Sequence, residues 1–354
     1  MELSSQSDAG SPVSSESAAD RTGTTAPTED SPDSSGAGAS RPVALVAGGS
    51  RGLGLLIARE LHHSGFVPVI AARSADELSR AADQLATEGI TARTEVMDVS
   101  RAEQVTEVIT RVEATSGPIE VLICVAGVIQ VGPLSAMTRS DFVEAVDVML
   151  WGPVNTALAV LPGMRDRGRG RIGIVTSIGG LIPAPHLLAY STAKFGAVGF
   201  GRGLRAELTG SGVTVTTIVP GLMRTGSHLR AMFRGDVERE YAWFATAASL
   251  PLLSMDAHRA ARRMVSGVLA GRSVLLLTGL AQVAPRLDAL APRLGSAVLG
   301  LTTRLLPSWP TNQAPPSRVE GRQVEERARP RARGVRRALT VLGRRAAGRT
   351  NQRS

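Results

Sequence analysis

The sequence predicts an α/β domain built on a doubly wound parallel sheet of about seven strands. Three observations carry that expectation. From Pro42 onward, short apolar runs alternate with helical stretches, the pattern of a parallel sheet covered on both faces. The first run passes through a glycine-rich turn directly into a helix. Later runs end in Arg73, Asp98 and Ser177, at the strand edge where such sheets hold ligands.

Residues 42–47 read as a buried strand, the run Gly48-Gly49-Ser50-Arg51-Gly52-Leu53-Gly54 as a tight turn, and 55–63 as a helix. Glycines there let a pyrophosphate approach the N–H groups at the helix start. The strand-to-helix context favours a Rossmann-type cofactor turn, with an ordinary strand-to-helix turn as the alternative. A second strand spans 67–72 and ends at Arg73, followed by a helix over 75–88. A third spans 91–97 and ends at Asp98, with a helix over 101–115 and a fourth strand over 120–125. Arg73 stands where an acid would bind a free ribose 2′-hydroxyl, so a 2′-phosphate, and NADP(H) over NAD(H), is favoured. Arg51 would close the other side of that clamp. The alternative is two solvated arginines in an Arg-rich chain.

Residues 138–166 read as helical, with a kink at Gly152-Pro153, and 165–171 as a solvated basic loop. The fifth strand, 172–176, ends at Ser177. A long helix spans 190–208, and the sixth strand, 213–219, is closed by Pro220-Gly221. The stretch 222–255 reads as irregular but carries Met223, Trp243 and Phe244, suited to covering a substrate. A helix over 256–270 and a strand over 273–278 complete the domain.

Tyr190 and Lys194 stand out within this frame. Lys194 is the only lysine in 354 residues, and Tyr190 is one of two tyrosines, the other being Tyr241. A spacing of i, i+4 puts both side chains on one helix face. A phenol is a poor acid-base group at neutral pH, and a nearby ammonium favours its ionised form. The bland alternative is a Tyr and a Lys on a solvated face.

Composition bounds the rest. The single cysteine, Cys124, excludes an internal disulfide framework and a multi-Cys metal site. Five scattered histidines show no ligand spacing, so no metal is expected. The polar start is not a secretory signal, and no apolar run reaches about 18 residues; a cytoplasmic location is the expectation. Charge is uneven: residues 1–40 hold seven acids and one Arg, and 316–354 hold twelve Arg and three Glu. The Arg-rich tail lacks aromatic residues for base stacking, so no nucleic-acid partner is expected. Four regions follow: an acidic Ser/Thr-rich tail over 1–40, disordered by composition; a nucleotide-binding catalytic domain over 41–280; an amphipathic extension over 281–309; and a basic Arg/Pro-rich tail over 310–354. In the tail, 310–334 is expected to be disordered and 335–347 to form a short basic helix. The extension suits a membrane surface, or equally packing on the domain or another subunit.

Over about 41–280 the chain resembles the classical short-chain dehydrogenase/reductase family. The family's TGxxxGxG matches Gly48, Gly52 and Gly54, with Ala47 in place of Thr. Its Asp-Val pair matches Asp98-Val99, its YxxxK matches Tyr190 and Lys194, its serine matches Ser177, and its PGxxxT matches Pro220, Gly221 and Thr225. The resemblance implies cofactor contacts at these glycines, Ser50, Arg51, Leu53, Arg73, Asp98, Val99, Ala126, Gly127, Tyr190, Lys194, Pro220, Gly221 and Thr225. It implies a catalytic set of Ser177, Tyr190 and Lys194. It also implies a homo-oligomer, dimer or tetramer, through the helices around 138–166 and 189–208. Three positions depart: Ala47; Cys124-Val-Ala-Gly127 where the family has NNAG; and Met149 in Asp147-Val-Met-Leu-Trp-Gly152, where the family has an Asn behind the lysine. Asn155, six residues on, faces elsewhere on the helix.

Two functions remain. One is an NADP(H)-dependent oxidoreductase interconverting a ketone and an alcohol on an apolar, lipid- or steroid-like molecule. The other is a cofactor-binding sensor or scaffold without turnover, motivated by Met149.

Overall fold

The structure is a computed structural model, and it describes residues 41–249, 254–310, 312–314, 316–327 and 350–352. The expected disorder of 1–40 and the expected helix over 335–347 lie outside the described residues.

The strands and helices alternate as the hydrophobic pattern requires. In chain order they are β1 (Val43–Ala47), α1 (Gly52–His63), β2 (Val67–Ala72), α2 (Ala75–Ala86), β3 (Arg93–Val96), α3 (Ala102–Ser116), β4 (Ile119–Cys124) and the short β5 (Gln130–Val131). Then come α4 (Arg139–Val146), α5 (Gly152–Asp166), β6 (Gly170–Val175), α6 (Leu188–Glu207), β7 (Val213–Val219), β8 (Leu222–Arg224) and β9 (Met232–Phe233). The chain continues through α7 (Val237–Ser249), β10 (Ser254–Asp256), α8 (Ala257–Leu269), β11 (Val274–Leu276), α9 (Gly279–Leu290), α10 (Pro292–Leu305), β12 (Val319–Glu320) and α11 (Gly321–Arg327). Seven strands form the main sheet in the order β11-β7-β6-β4-β1-β2-β3, all parallel. The strand order reverses between β1 and β4, which opens a crevice at their carboxyl ends.

β1 is buried at every position because helices cover both faces of the sheet. One apolar cluster joins β1 and β4 to α3 and α5. A second, on the opposite face, joins the sheet to α1, α2 and α8. Local chemistry fixes the helix starts: Ser74 caps α2 by accepting from the Glu77 amide, Thr138 and Asp141 form a capping box on α4, and Asp256 caps α8.

Three expectations are corrected. The irregularity in 138–166 is not a kink at Gly152-Pro153 but a π-helical turn over Asp147–Trp151 that joins α4 to α5. This combined helix is apolar and long enough to cross a membrane, but half of its most apolar window is buried inside the domain. The stretch 222–255 is not simply irregular. It holds β8, β9 and β10 and the thirteen-residue α7, whose Tyr241 and Phe244 pack with Phe233 in a third apolar cluster. Residues within 310–334 do fold: β12 pairs antiparallel with β9, and Val324 of α11 is buried in that third cluster. Proline and arginine content misled here, because Val319 and Val324 pack on that cluster and Arg230 meets Glu320 at 3.2 Å, enough to dock a short segment.

Candidate active site

The site is assembled where β1, β4, β6 and β7 end. Gly48 has φ +100°, and a Cβ there would come within 2.5 Å of the Ala126 amide nitrogen. A Cβ on Gly54 would overlap the Gly48 carbonyl oxygen. The turn therefore needs both glycines, and it brings the first turn of α1 against the crevice. α1 has no side-chain cap, so its leading amides point at whatever lies in the cradle. Here the Gly52 amide donates to the Thr350 carbonyl at 2.6 Å, and the Gln352 side chain lies against Gly52. The Thr350 hydroxyl donates to the Thr225 carbonyl at 3.0 Å, and Asn351 donates to the Ser50 carbonyl at 2.9 Å. Residues 350–352 thus cross the glycine turn, a contact no sequence signal announced.

At the outer end of the crevice three arginines converge. Arg51 pairs with Glu77 at 2.6 Å, Ser50 Oγ donates to the same carboxylate at 3.2 Å, and Arg230 stands 3.6 Å from it. Burial lowers the Arg51 pKa, the Arg230 and Arg73 charges lower it further, and Glu77 opposes them. Arg73 lines the cavity just past the end of β2. Arg230 and Glu77 were not anticipated; neither sits in a recognisable motif.

In the middle of the crevice, the Asp98 carboxylate accepts from the Ser100 amide and hydroxyl at 3.0 and 2.7 Å. Val99 is buried, and its carbonyl accepts from Asn155 Nδ2 at 2.9 Å. Asn155 is therefore engaged away from the lysine, as its helical position implied. Met149 is fully buried, with its sulfur beside Gly127. Cys124 is buried with its Sγ 3.1 Å from Thr156 Oγ1, and burial pushes its thiol up to about 12, so it is not a reactive thiol. Ala47 and Cys124 both pack in the core beneath the cradle.

Ser177, Tyr190 and Lys194 meet at the inner end. Ser177 follows β6 and accepts from the Gly179 amide at 3.0 Å. Tyr190 and Lys194 occupy the first two turns of α6, with the ammonium 5.8 Å from the Tyr190 ring centre. Lys194 is buried, and its Nζ donates to the Val175 carbonyl at 2.8 Å. Burial lowers the Lys194 pKa to about 8, against a small opposing effect of Cys124. Burial raises the Tyr190 pKa, and only its hydrogen bond with Ser177 opposes this. The expectation that Lys194 depresses the phenol is thus corrected for the protein alone: desolvation wins. Ile178 donates to the Pro220 carbonyl at 2.8 Å, which ties the chain after β7 to the residue following Ser177, and Thr225 is buried beneath the strap formed by residues 350–352.

One cavity of about 590 Å³ contains this whole arrangement. Every residue expected at the site lines it except Gly52, which Gln352 covers. Beyond Tyr190 its walls are apolar: Leu187, Met223, Trp243, Phe244, Leu280 and Leu306. A buried pair unforeseen from sequence holds this wall. His186, at φ +61°, sits 2.7 Å from one Glu240 oxygen, and Trp243 Nε1 donates to the other at 2.7 Å. The cradle, the uncapped helix start and the cavity fit a dinucleotide, provided that residues 350–352 give way.

The family model for short chain dehydrogenases matches residues 42–232. The chain is 36% identical over 183 residues to the acetoacetyl-CoA reductase of Paracoccus denitrificans, covering 52% of this chain and 74% of that protein. Among solved structures it resembles a short-chain dehydrogenase from Streptomyces avermitilis, with a TM-score of 0.61 at 28% identity over 74% of this chain and 95% of the other. It also resembles a variant of the actinorhodin polyketide ketoreductase with NADPH, with a TM-score of 0.60 at 27% identity over 69% and 98%. With the glycine turn, the Ser-Tyr-Lys cluster and the seven-stranded parallel sheet in place, this chain belongs to the short-chain dehydrogenase/reductase family and is an NAD(P)-dependent oxidoreductase.

Proposed function

We propose that the chain interconverts a ketone and a secondary alcohol on an apolar molecule, with NADP(H) preferred over NAD(H). The observation that carries this is a single cavity with Ser177, Tyr190 and Lys194 at one point of its wall and apolar side chains beyond them. The bound nicotinamide would supply or accept the hydride at the carbon. Gly48, Gly52, Leu53 and Gly54 would cradle the pyrophosphate at the start of α1. Asp98 and Val99 would flank the adenine, and Ala126, Gly127, Pro220, Gly221 and Thr225 the nicotinamide half. Ser177 would hold the carbonyl oxygen while the Tyr190 phenol gives that oxygen its proton. A phenol whose pKa burial raises is fully protonated at neutral pH, which suits reduction. Lys194, held by the Val175 carbonyl, would place its ammonium beside the phenol and the ribose. Arg51 and Arg73 would meet a 2′-phosphate, with Arg230 behind them.

The relatives suggest where to look for substrate: one is a reductase of an acetoacetyl thioester and one a polyketide ketoreductase. Trp151, Leu158, Leu188 and Phe195 are exposed on the helices around 138–166 and 188–207, which supports a homo-oligomer through that face. A second reading, a cofactor-binding sensor without turnover, is favoured by Met149, because a thioether offers no comparable polar link behind Lys194.

An NADPH-oxidation screen over apolar ketones and β-ketoacyl thioesters separates the two readings. Turnover on any member supports the enzyme, and cofactor binding with no turnover supports the sensor. In that assay Tyr190→Phe should lower kcat by about 10²–10⁴ and leave NADPH affinity within a few fold; near-parental kcat would remove Tyr190 from the chemistry. Arg73→Asp should move the NADP/NAD affinity ratio toward NAD, and an unchanged ratio in titration would acquit Arg73. Because Lys194 holds its proton only up to about pH 8, kcat/KM for NADPH in the reduction direction should fall as pH rises through that value. A profile level to about pH 9.5 would dissociate catalysis from the Lys194 charge. Residues 350–352 and a pyrophosphate would compete for the Gly52 amide, so a chain ending at 349 should bind NADPH several-fold more tightly by fluorescence titration. Equal or weaker binding would show that the strap does not oppose the cofactor.

A further inference from the structure

α9 and α10 form a helical hairpin, broken at Ala291 ahead of Pro292. Across both helices only Ala281 is buried, and α10 buries nothing. Leu280, Leu287 and Leu290 recur on one face of α9, and Leu294, Leu301 and Leu305 on one face of α10, each more than half exposed. Exposed leucine stripes of this kind mark an interaction surface. Arg286 flanks the stripe of α9. Arg293 and Arg304 are eleven residues apart, about three turns, and so lie on one edge of α10 beside its leucines.

We propose that this hairpin docks the enzyme on an anionic lipid bilayer. Leucines on one face with arginines along the rim are the arrangement that seats a helix pair at a membrane surface, apolar side chains in the acyl boundary and guanidinium groups among the headgroups. Charge chooses this occupant over a second copy of the chain. From 279 to 310 the only acid is Asp288, against three arginines, and residues 316–354 add twelve Arg against three Glu. Two copies meeting through this hairpin would bring its arginines together, whereas an anionic leaflet attracts them. A second copy also has its own apolar face elsewhere, around Trp151 and Phe195. The location gives the docking a use. Leu280, Thr302 and Leu306 line the same cavity as Tyr190, so the rim of the cavity and the docking face are one surface. On the ketone-reductase reading, the substrate class is then a carbonyl or alcohol compound dissolved in the bilayer; docking itself does not depend on that reading.

Co-sedimentation tests it with full-length protein and vesicles of phosphatidylcholine alone or mixed with phosphatidylglycerol. The protein should sediment with the anionic vesicles, remain in solution with the neutral ones, and detach as salt is raised. The charge-neutral double variant Leu287→Ser/Leu301→Ser, checked for an unchanged circular dichroism spectrum, should partition about tenfold or more weakly. Protein that stays in the supernatant with anionic vesicles at low salt overturns the proposal. So does a double variant that binds as well as the parent, which would assign binding to the Arg-rich segment alone. A variant that loses an oligomeric state, with no vesicle binding by the parent, would assign the face to a second copy. Sedimentation without turnover on any ketone would count against the proposed reaction and leave the docking intact.

Discussion

Three chain segments touch at the end of β1 with no side chain between them, and the crevice exists because they do. Gly48 lies against the Ala126 amide, and Gly54 lies on the Gly48 carbonyl. The Gly48 and Gly49 amides donate to the Ala71 carbonyl at 2.8 and 3.1 Å, and the Val125 and Ala126 amides donate to the Ala47 carbonyl at 2.9 and 2.8 Å. Those bonds stitch the ends of β1, β2 and β4 into one rim. A single methyl group at Gly54 would lift α1 from that rim. α1 is the helix on which α8 and one side of the core close, so the displacement would propagate through the whole face. The same closeness explains the small residues beneath it. Ala47 and Cys124 fill the space under the turn, and Cys124 finds the Thr156 hydroxyl as its polar neighbour. The family's Thr and Asn are absent together, and the Ala47 and Cys124 that replace them are both buried in the core.

The second constraint is electrostatic. The one lysine in the chain is buried, and burial lowers its pKa from 10.5 to about 8 by disfavouring the charged form. A group perturbed in this way inside a cleft marks a candidate functional site. The Val175 carbonyl fixes the amine's position, and the geometry leaves Tyr190 with a protonated phenol. Met149 lies in the π-helical turn, where an inserted residue re-aims the neighbouring side chains. It fills its pocket by packing against Gly127 rather than by hydrogen bonding.

Much of this was legible in the sequence because the signals are local. A strand that must be buried on both faces reads as an apolar run, so all seven main strands were placed to within about two residues. The glycine turn and the Tyr190–Lys194 pair are contiguous motifs, and their residues converge on one cavity. The unread parts depend on distance along the chain. Arg230 reaches Glu77 across more than one hundred and fifty positions, and His186 reaches Glu240 from a loop 54 residues away. No spacing rule reports such pairs. α11 was misjudged for a different reason: composition measures whether a segment can build a core, and this one only borrows a core that β9 and α7 have already made.

The segments beyond the family match at 42–232 touch the cavity at both ends. Residues 350–352 lie on the cofactor end. α7, α9 and α10 supply Trp243, Phe244, Leu280 and Thr302 at the other. On the proposed reaction the chemistry falls to Ser177, Tyr190, Lys194 and the glycine turn, all within the matched part. Leu187 and Met223 of the matched part complete the wall, so the family core and the chain beyond it shape the cavity together. On that reaction the walls can be altered while Ser177, just past β6, and Tyr190 and Lys194 of α6 keep their places. In this chain the wall is apolar and is braced from behind: Glu240 holds both Trp243 and His186, and the Tyr241 hydroxyl donates to Glu325 of α11 at 3.2 Å. Hydrogen bonds placed behind a wall in this way suit a preformed pocket rather than one that orders around its ligand.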